Sequence, residues 1–290
     1  LSWYEKDLKQ LRFKDKDDFN GLSLDQRIKE MIKDEQIEES CTSCGGGLIK
    51  LKQIGKVICP SCAKQELEEE KKDLENTWSK NAIKAMSWAY FNDYSILKNK
   101  TIKQAGLKNF ITTEEQAKKA KDIAKKYIGA ILEKKTPHMI LSGKPGRGKT
   151  HIAMATARSV IEMSPEEIKV LFIHYSAFLK FKQTSFSEKD KKLRVSEIET
   201  EMMNCDLLVV DDLGVELGSL RNPKEPSSWN IDTLTLIMEA REDKPLIVTT
   251  NFDEPQIIES YEDRNQSRMF KHSNGFRIEF SNITDKRMDF

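Results

Sequence analysis

Residues 143–150 read Gly143-Lys144-Pro145-Gly146-Arg147-Gly148-Lys149-Thr150, which meets the pattern G-x-x-x-x-G-K-[ST] at every fixed position. An apolar strand pattern, His138–Ser142, precedes this stretch, and a helical pattern, Thr150–Glu162, follows it. No other feature restricts the fold so far. A strand must deliver the chain into an anion-sized nest, and a helix must leave with its positive N-terminal end aimed at the same anion. The glycines let backbone N–H groups turn inward, where side chains would obstruct them. Lys149 then places a point charge on the β- and γ-phosphates of a nucleotide, and the Thr150 hydroxyl is positioned to ligate Mg²⁺. His151 follows in the first helical turn and is counted with the loop.

Downstream, short apolar strands alternate with helical patterns. Lys169–His174, Leu207–Asp211, Leu246–Thr250 and Gly275–Phe280 read as strands; Ser176–Lys182, Val195–Asn204 and Ile231–Arg241 read as helices. Such alternation predicts an α/β fold with a parallel sheet covered on both faces. Upstream, Thr112 and Glu115 suggest a capping box for a helix whose apolar face is Ala117, Ala120, Ile123, Tyr127 and Ile131.

The strand Leu207–Val210 ends in Asp211 and Asp212. At the C-terminal edge of a parallel sheet such acids face the ligand crevice. Asp211 is expected to hold Mg²⁺ and Asp212 to orient or deprotonate an attacking water. Ile247-Val248-Thr249-Thr250-Asn251 ends a second strand, with Asn251 placed to sense the γ-phosphate. Arg264 and Arg268 are candidates for donation to a neighbouring subunit's nucleotide, Arg268 being the stronger. These motifs, in this order, point to an ATPase core of the AAA+ type, and an aspartate in place of the usual second glutamate predicts slow hydrolysis.

Charged residues make up 33% of the 290, yet the net charge is +1. The balance announces no polyanion partner, but residues 98–135 hold eleven lysines against four acids. That block reads either as a solvated lysine face or as a phosphate-tracking surface. No apolar run approaches the ~20 residues that span a bilayer, and Trp3, Tyr4, Glu5 and Lys6 do not begin a signal peptide. A cytoplasmic protein without membrane contact is expected.

Cys41-x-x-Cys44 and Cys59-x-x-Cys62, fourteen residues apart, have the spacing of a four-thiolate zinc site; Cys205 stands alone and reads as a small buried hydrophobe. A hairpin of Leu48–Lys52 and Lys56–Cys59 would join the two pairs. A redox dithiol pair is the competing reading. Before the cysteines, Ser23 with Gln26 opens a helical pattern; after them, Lys64–Lys80 reads as an exposed connecting helix. The expected organisation is an N-terminal domain over residues 1–80 with its zinc module at 41–62, a linker at 81–100, and the ATPase domain at 101–290.

With these residues in place, residues 98–290 resemble the DnaC/DnaI family of bacterial replicative helicase loaders, including phage-carried members. The resemblance rests on Ser142–Thr150, Val170–Ser176, Asp206–Gly214, Thr249–Asn251 and Asp263–Met269. It implies an AAA+ P-loop core with the lid absent or reduced, binding ATP and ADP with Mg²⁺. It also implies self-association through the ATP site, contact with single-stranded DNA, and an N-terminal domain that grips the ring helicase, as in DnaI-type loaders. Arg268 matches the family's arginine finger, Leu107–Phe110 the segment before the helix that covers the adenine, and Phe186 an aromatic implicated in DNA contact. Phe178 and Phe181 fit a helix-face core better. Arg287 is a loose match to sensor 2. An IstB-like transposition helper, and a zinc-dependent interaction module on a nucleotide-stabilised scaffold, are the alternatives.

Overall fold

The structure, a computed structural model, describes residues 35–51, 55–111, 113–219, 222–223, 227–261, 263–281 and 283–284. The helical pattern from Ser23 and the sensor candidate Arg287 lie outside them. The chain divides between Trp78 and Ser79 into two units.

The first unit is built on a three-stranded antiparallel sheet: β1 (Glu35–Ser40), β2 (Gly47–Leu51) and β3 (Lys56–Ile58), in that order. The expected hairpin is the β2–β3 pair, with Ile49 opposite Ile58. Strand β1 was not foreseen, because Glu35-Gln36-Ile37-Glu38-Glu39-Ser40 carries a single apolar residue. Helix α1 (Pro60–Tyr94) starts between the third and fourth cysteines. Its first part is exposed and charged, with i,i+4 pairs such as Lys64–Glu68.

In the second unit the expected linker at 81–100 is corrected. Residues 81–94 complete α1, and Phe91 is fully buried with Trp88 edge-on to it at 5.4 Å. Ile96 then pairs with Ile173 of the sheet. Apolar side chains at helical spacing, rather than the lysines around them, decide this segment's place. After it come α2 (Glu115–Leu132), β4 (His138–Ser142), α3 (Lys149–Met163), β5 (Val170–His174), α4 (Tyr175–Thr184), α5 (Lys189–Asn204) and β6 (Leu207–Leu213). Then follow a two-residue pair, β7 (Gly218–Ser219) with β8 (Asn222–Pro223), and α6 (Ser228–Arg241). The chain continues through β9 (Leu246–Thr250), α7 (Glu254–Ser260), α8 (Asp263–Phe270) and β10 (Arg277–Glu279). The expected Thr112–Glu115 capping box rests on Thr112, which lies outside the described residues; the N-cap of α2 is Glu114, whose side chain makes no capping bond and accepts instead from the N–H and hydroxyl of Thr284. Helix α5 begins six residues before the expected Val195, since Lys189–Arg194 favours helix by propensity without an apolar face to announce it.

Five strands form one parallel sheet in the order β10-β4-β9-β6-β5. The side-chain period of two sorts each strand between two cores. Met139 and Leu141, Val170 and Phe172, Leu207 and Val209, and Ile247 pack with α2 and α3. Ile140, Leu171 and Ile173, Leu208 and Val210, and Leu246 and Val248 pack with α4–α8. Burying each such side chain fully is worth about 1.5–3 kcal/mol, so both faces are held and the strand ends stay in register where the motifs need them. No helix among the described residues is long and apolar enough to cross a membrane.

Candidate functional site

The loop between β4 and α3 bends through left-handed backbone that side chains would forbid. Gly143 has φ +122°, and a Cβ there would lie 3.0 Å from the Phe280 nitrogen. Gly148 has φ +94°, and a Cβ there would meet the Phe110 ring at 2.8 Å. Glycine therefore serves two ends: it makes the turn, and it lets Phe110 close over the start of α3. The Lys149 side chain is buried, and its ammonium donates to the carbonyls of Gly143 (2.6 Å) and Lys144 (2.9 Å) and to Asn251 Oδ1 (2.9 Å). The loop lysine and the sensor candidate are thus in direct contact across two neighbouring strands.

Asp211 and Asp212 stand next to them. The pairing of β6 with β9 slips between Val210 and Leu213, and Asp212 adopts φ +56°. A bulge of this kind re-aims side chains at a site, and aspartate tolerates the left-handed region better than most residues. One hydroxyl fastens it: Thr249 Oγ1 accepts from the Asp212 N–H (2.9 Å) and donates to Asp211 Oδ1 (2.7 Å). Burial, with Asp212 as neighbour, pushes the Asp211 carboxyl up to about 6, against the pull of the Thr249 and Thr150 hydroxyls. A buried carboxyl touching the Thr150 hydroxyl is the donor set a hard dication needs, so Thr150 and Asp211 are the residues that would hold Mg²⁺.

His174, at the end of β5, was missed by the sequence reading; its only signal is a polar residue closing an apolar strand. It is buried, and its Nδ1 accepts from the Ala177 N–H (3.4 Å), capping α4. That leaves the proton on Nε2, 3.4 Å from Asp212 Oδ2. His174 holds the Asp212 carboxyl below the usual range. Thr249 and His174 together position the two acids.

A cavity of about 520 Å³ opens over this group; Pro145–His151, Asp212 and Asn251 line it on one side, Ile102, Asn109, Phe110 and Ile111 on another. The apolar side suits a base, the loop side phosphates. Two loop residues are engaged elsewhere. Arg147 donates to the carbonyls of Ser281 (3.0 Å) and Ile283, tying down the chain after β10. His151 meets the Gly106 carbonyl at 3.1 Å and the Phe110 ring at 5.3 Å, supporting the base side; burial lowers its pKa.

Arg268 and Arg264 are not among the residues lining the cavity. Arg268 lies 3.4 Å from both Glu239 and Glu242, and Arg264 lies 3.6 Å from Glu239; both arginines are on α8, Glu239 is on α6 and Glu242 is its C-cap. Phe186 is 65% exposed, 6.2 Å from the Trp229 ring, over which the Lys182 ammonium sits at 5.0 Å. Phe178 is fully buried, Phe181 packs against the same core, and Cys205 is buried.

In the first unit the ligand atoms of Cys41, Cys44, Cys59 and Cys62 all lie within 4.8 Å of one another. Cys41 and Cys62 sulfurs are 3.7 Å apart, Cys44 and Cys59 sulfurs 3.4 Å. Four Zn–S bonds of ~2.3 Å in a tetrahedron place sulfurs ~3.8 Å apart, so the set fits Zn²⁺. The backbone N–H of Cys44 draws the Cys41 thiol down to about 6, while the other sulfurs, Cys44 first, drive Cys62 up to about 12. As thiolates the four would need a cation among them.

The family profile for the bacterial DnaA ATPase domain matches residues 102–276. The chain belongs to that family. Its second unit is an ATP-binding AAA+ domain, and the P-loop, the acidic pair and Asn251 all fall within the matched span. The chromosomal replication initiator protein DnaA of Onion yellows phytoplasma (strain OY-M) is 27% identical over 110 residues, 37% of this chain. The match spans only 21% of that relative's length. Among solved structures, that of DnaI superposes with TM-score 0.52 at 20% identity, covering 67% of this chain and 96% of DnaI. The DnaC helicase loader superposes with TM-score 0.51 at 20% identity, covering 64% of this chain and all of that one. At these identities the likeness to DnaI and DnaC is one of fold.

Proposed function

We propose that this chain is an ATP-dependent loader of the replicative DNA helicase onto single-stranded DNA. The observation that carries the reading is a conjunction: a four-cysteine unit precedes, in one chain, an AAA+ nucleotide site in which Lys149, Asn251, Asp211 and Asp212 converge. The fold shared with DnaI and the DnaC helicase loader supports it.

In this reading the first unit binds the ring helicase, with Cys41, Cys44, Cys59 and Cys62 holding zinc as a structural ion. The second unit binds ATP, the base against Phe110 and Ile102, the phosphates on the loop amides and Lys149. Magnesium, held by Thr150 and Asp211, would neutralise charge on the β- and γ-oxygens. Asp212, fixed by His174 and the Thr249 hydroxyl, orients the water that attacks the γ-phosphate, and Asn251 reads that phosphate. Arg268 reaches the nucleotide of a neighbouring copy after leaving Glu239 and Glu242, so assembly and ATP are coupled. Single-stranded DNA stacks on Phe186. Hydrolysis to ADP is slow and is stimulated by helicase or DNA.

The full-length chain should capture a bacterial replicative helicase in a pull-down, and a zinc chelator should abolish capture. Lys149→Ala should lose ATP binding, whereas Arg268→Ala should bind ATP but lose hydrolysis and self-association. No capture in either condition would remove the loader assignment. The DnaA-family match supports a second reading, an initiator-type ATPase, which capture of duplex origin DNA in preference to helicase would favour.

A further inference from the structure

Immediately after α1 the chain lays one more rung on the sheet. The Ile96 N–H donates to the Phe172 carbonyl (2.9 Å), the His174 N–H donates to the Ile96 carbonyl (2.8 Å), and the Phe172 N–H donates to Ser95 Oγ (3.0 Å). The Ile96–Ile173 bridge is parallel. The segment therefore leaves the sheet at the same edge as β5 and β6, where the strand ends carry His174, Asp211 and Asp212. Leu97 packs into the core and the next residue, Lys98, lines the nucleotide cavity together with Lys149, Asp212 and Asn251.

Lys98 is exposed and has no acid within ion-pair distance among the described residues. The loop amides and Lys149 line the same cavity. Asp212 also lines the cavity, and a second cation near it would offset its repulsion of a terminal phosphate.

We propose that Lys98 is a second, in-chain lysine ligand of the terminal phosphate, and that it sets the preference for a nucleoside triphosphate over the diphosphate. A charge-assisted bond to a phosphate oxygen that ADP lacks gives selectivity for the longer nucleotide and no help to the shorter one. The proposal rests on the ATP-binding reading of the loop, and it assigns discrimination to a residue outside every nucleotide motif of the sequence.

Calorimetry on the full-length protein with magnesium separates the outcomes. Lys98→Ala should weaken ATP binding about tenfold and leave ADP binding within about twofold; retained ADP affinity also reports an intact fold. Lys98→Arg should recover most of the loss. Lys98→Gln, which removes the charge and keeps most of the side chain's length, should behave as Lys98→Ala does and replaces it if the alanine variant folds poorly. Equal loss for both nucleotides, or no loss for either, would overturn the assignment to Lys98. Failure of the unmodified protein to bind either nucleotide would instead overturn the ATP-binding reading itself.

Discussion

Replacing Asp211 with Asn should make the protein more stable while ruining its nucleotide site. The Asp211 side chain is almost wholly buried, and its carboxyl titrates at about 6 rather than the ordinary 3.8. Between those values the unfolded chain has already released its proton and the folded chain has not. Stability therefore falls as pH rises from about 4 to about 6 and stays lowered above that. The gap corresponds to roughly 3 kcal/mol at pH 8 and roughly 1 kcal/mol at pH 4.5. Asparagine keeps an oxygen to accept from Thr249 Oγ1 and offers an N–H to Thr150, so the hydrogen bonds survive while the buried charge, and its repulsion with Asp212, disappear. For a domain of this size roughly 3 kcal/mol is a rise of about 6–12 °C in Tm. Thermal unfolding of both proteins at pH 8 and pH 4.5 measures it. The variant should melt higher at pH 8, by a margin that shrinks several-fold at pH 4.5, and magnesium-ATP should no longer raise its Tm. A variant that melts no higher than the parent at pH 8, or by the same margin at both pH values, would refute the claim that desolvation of this carboxylate dominates.

Two further substitutions probe the neighbours. Gly143→Ala forces φ +122° on a residue with a Cβ and drives that Cβ against the Phe280 backbone; it should cost about 1–3 kcal/mol, read as a lower Tm, together with loss of ATP binding by calorimetry. His174→Ala should cost about 1 kcal/mol of stability through the lost cap of α4, whereas His174→Asn should retain most of it because Asn is a strong N-cap residue. Denaturant titration of the pair decides whether Nδ1 caps the helix, since equal losses would deny it.

Much of this architecture can be read from the residues. Strands β4 and β9 lie where unbroken apolar runs end in polar residues, because burial on both faces leaves no other pattern. The loop, the acid pair and the cysteine spacing are equally legible, since their chemistry fixes residue type at fixed separations. What sequence hides is contact across strands. Nothing in Thr249 or His174 announces that one hydroxyl and one imidazole hold two acids, because the pairing depends on the β6 bulge. The linker reading of 81–100 failed because the packing of Phe91 and the pairing of Ile96 tie this segment to the second unit. The short helices α7 and α8 were not anticipated, although Asp253, Glu254, Pro255 and Gln256 spell a helix start.

The rung laid down by residues 95–97 has a consequence for how copies of this chain can meet. It occupies the outer margin of β5, and at the other margin β10 is three residues long, flanked by exposed Arg277 and Glu279, with Gln116 donating to the Glu279 carbonyl. Among the described residues, neither border of the five-stranded sheet offers a long row of vacant amides and carbonyls for another strand to zip onto. Contacts between copies at this part of the second unit would therefore use side chains on helical and loop surfaces rather than growth of the five-stranded sheet.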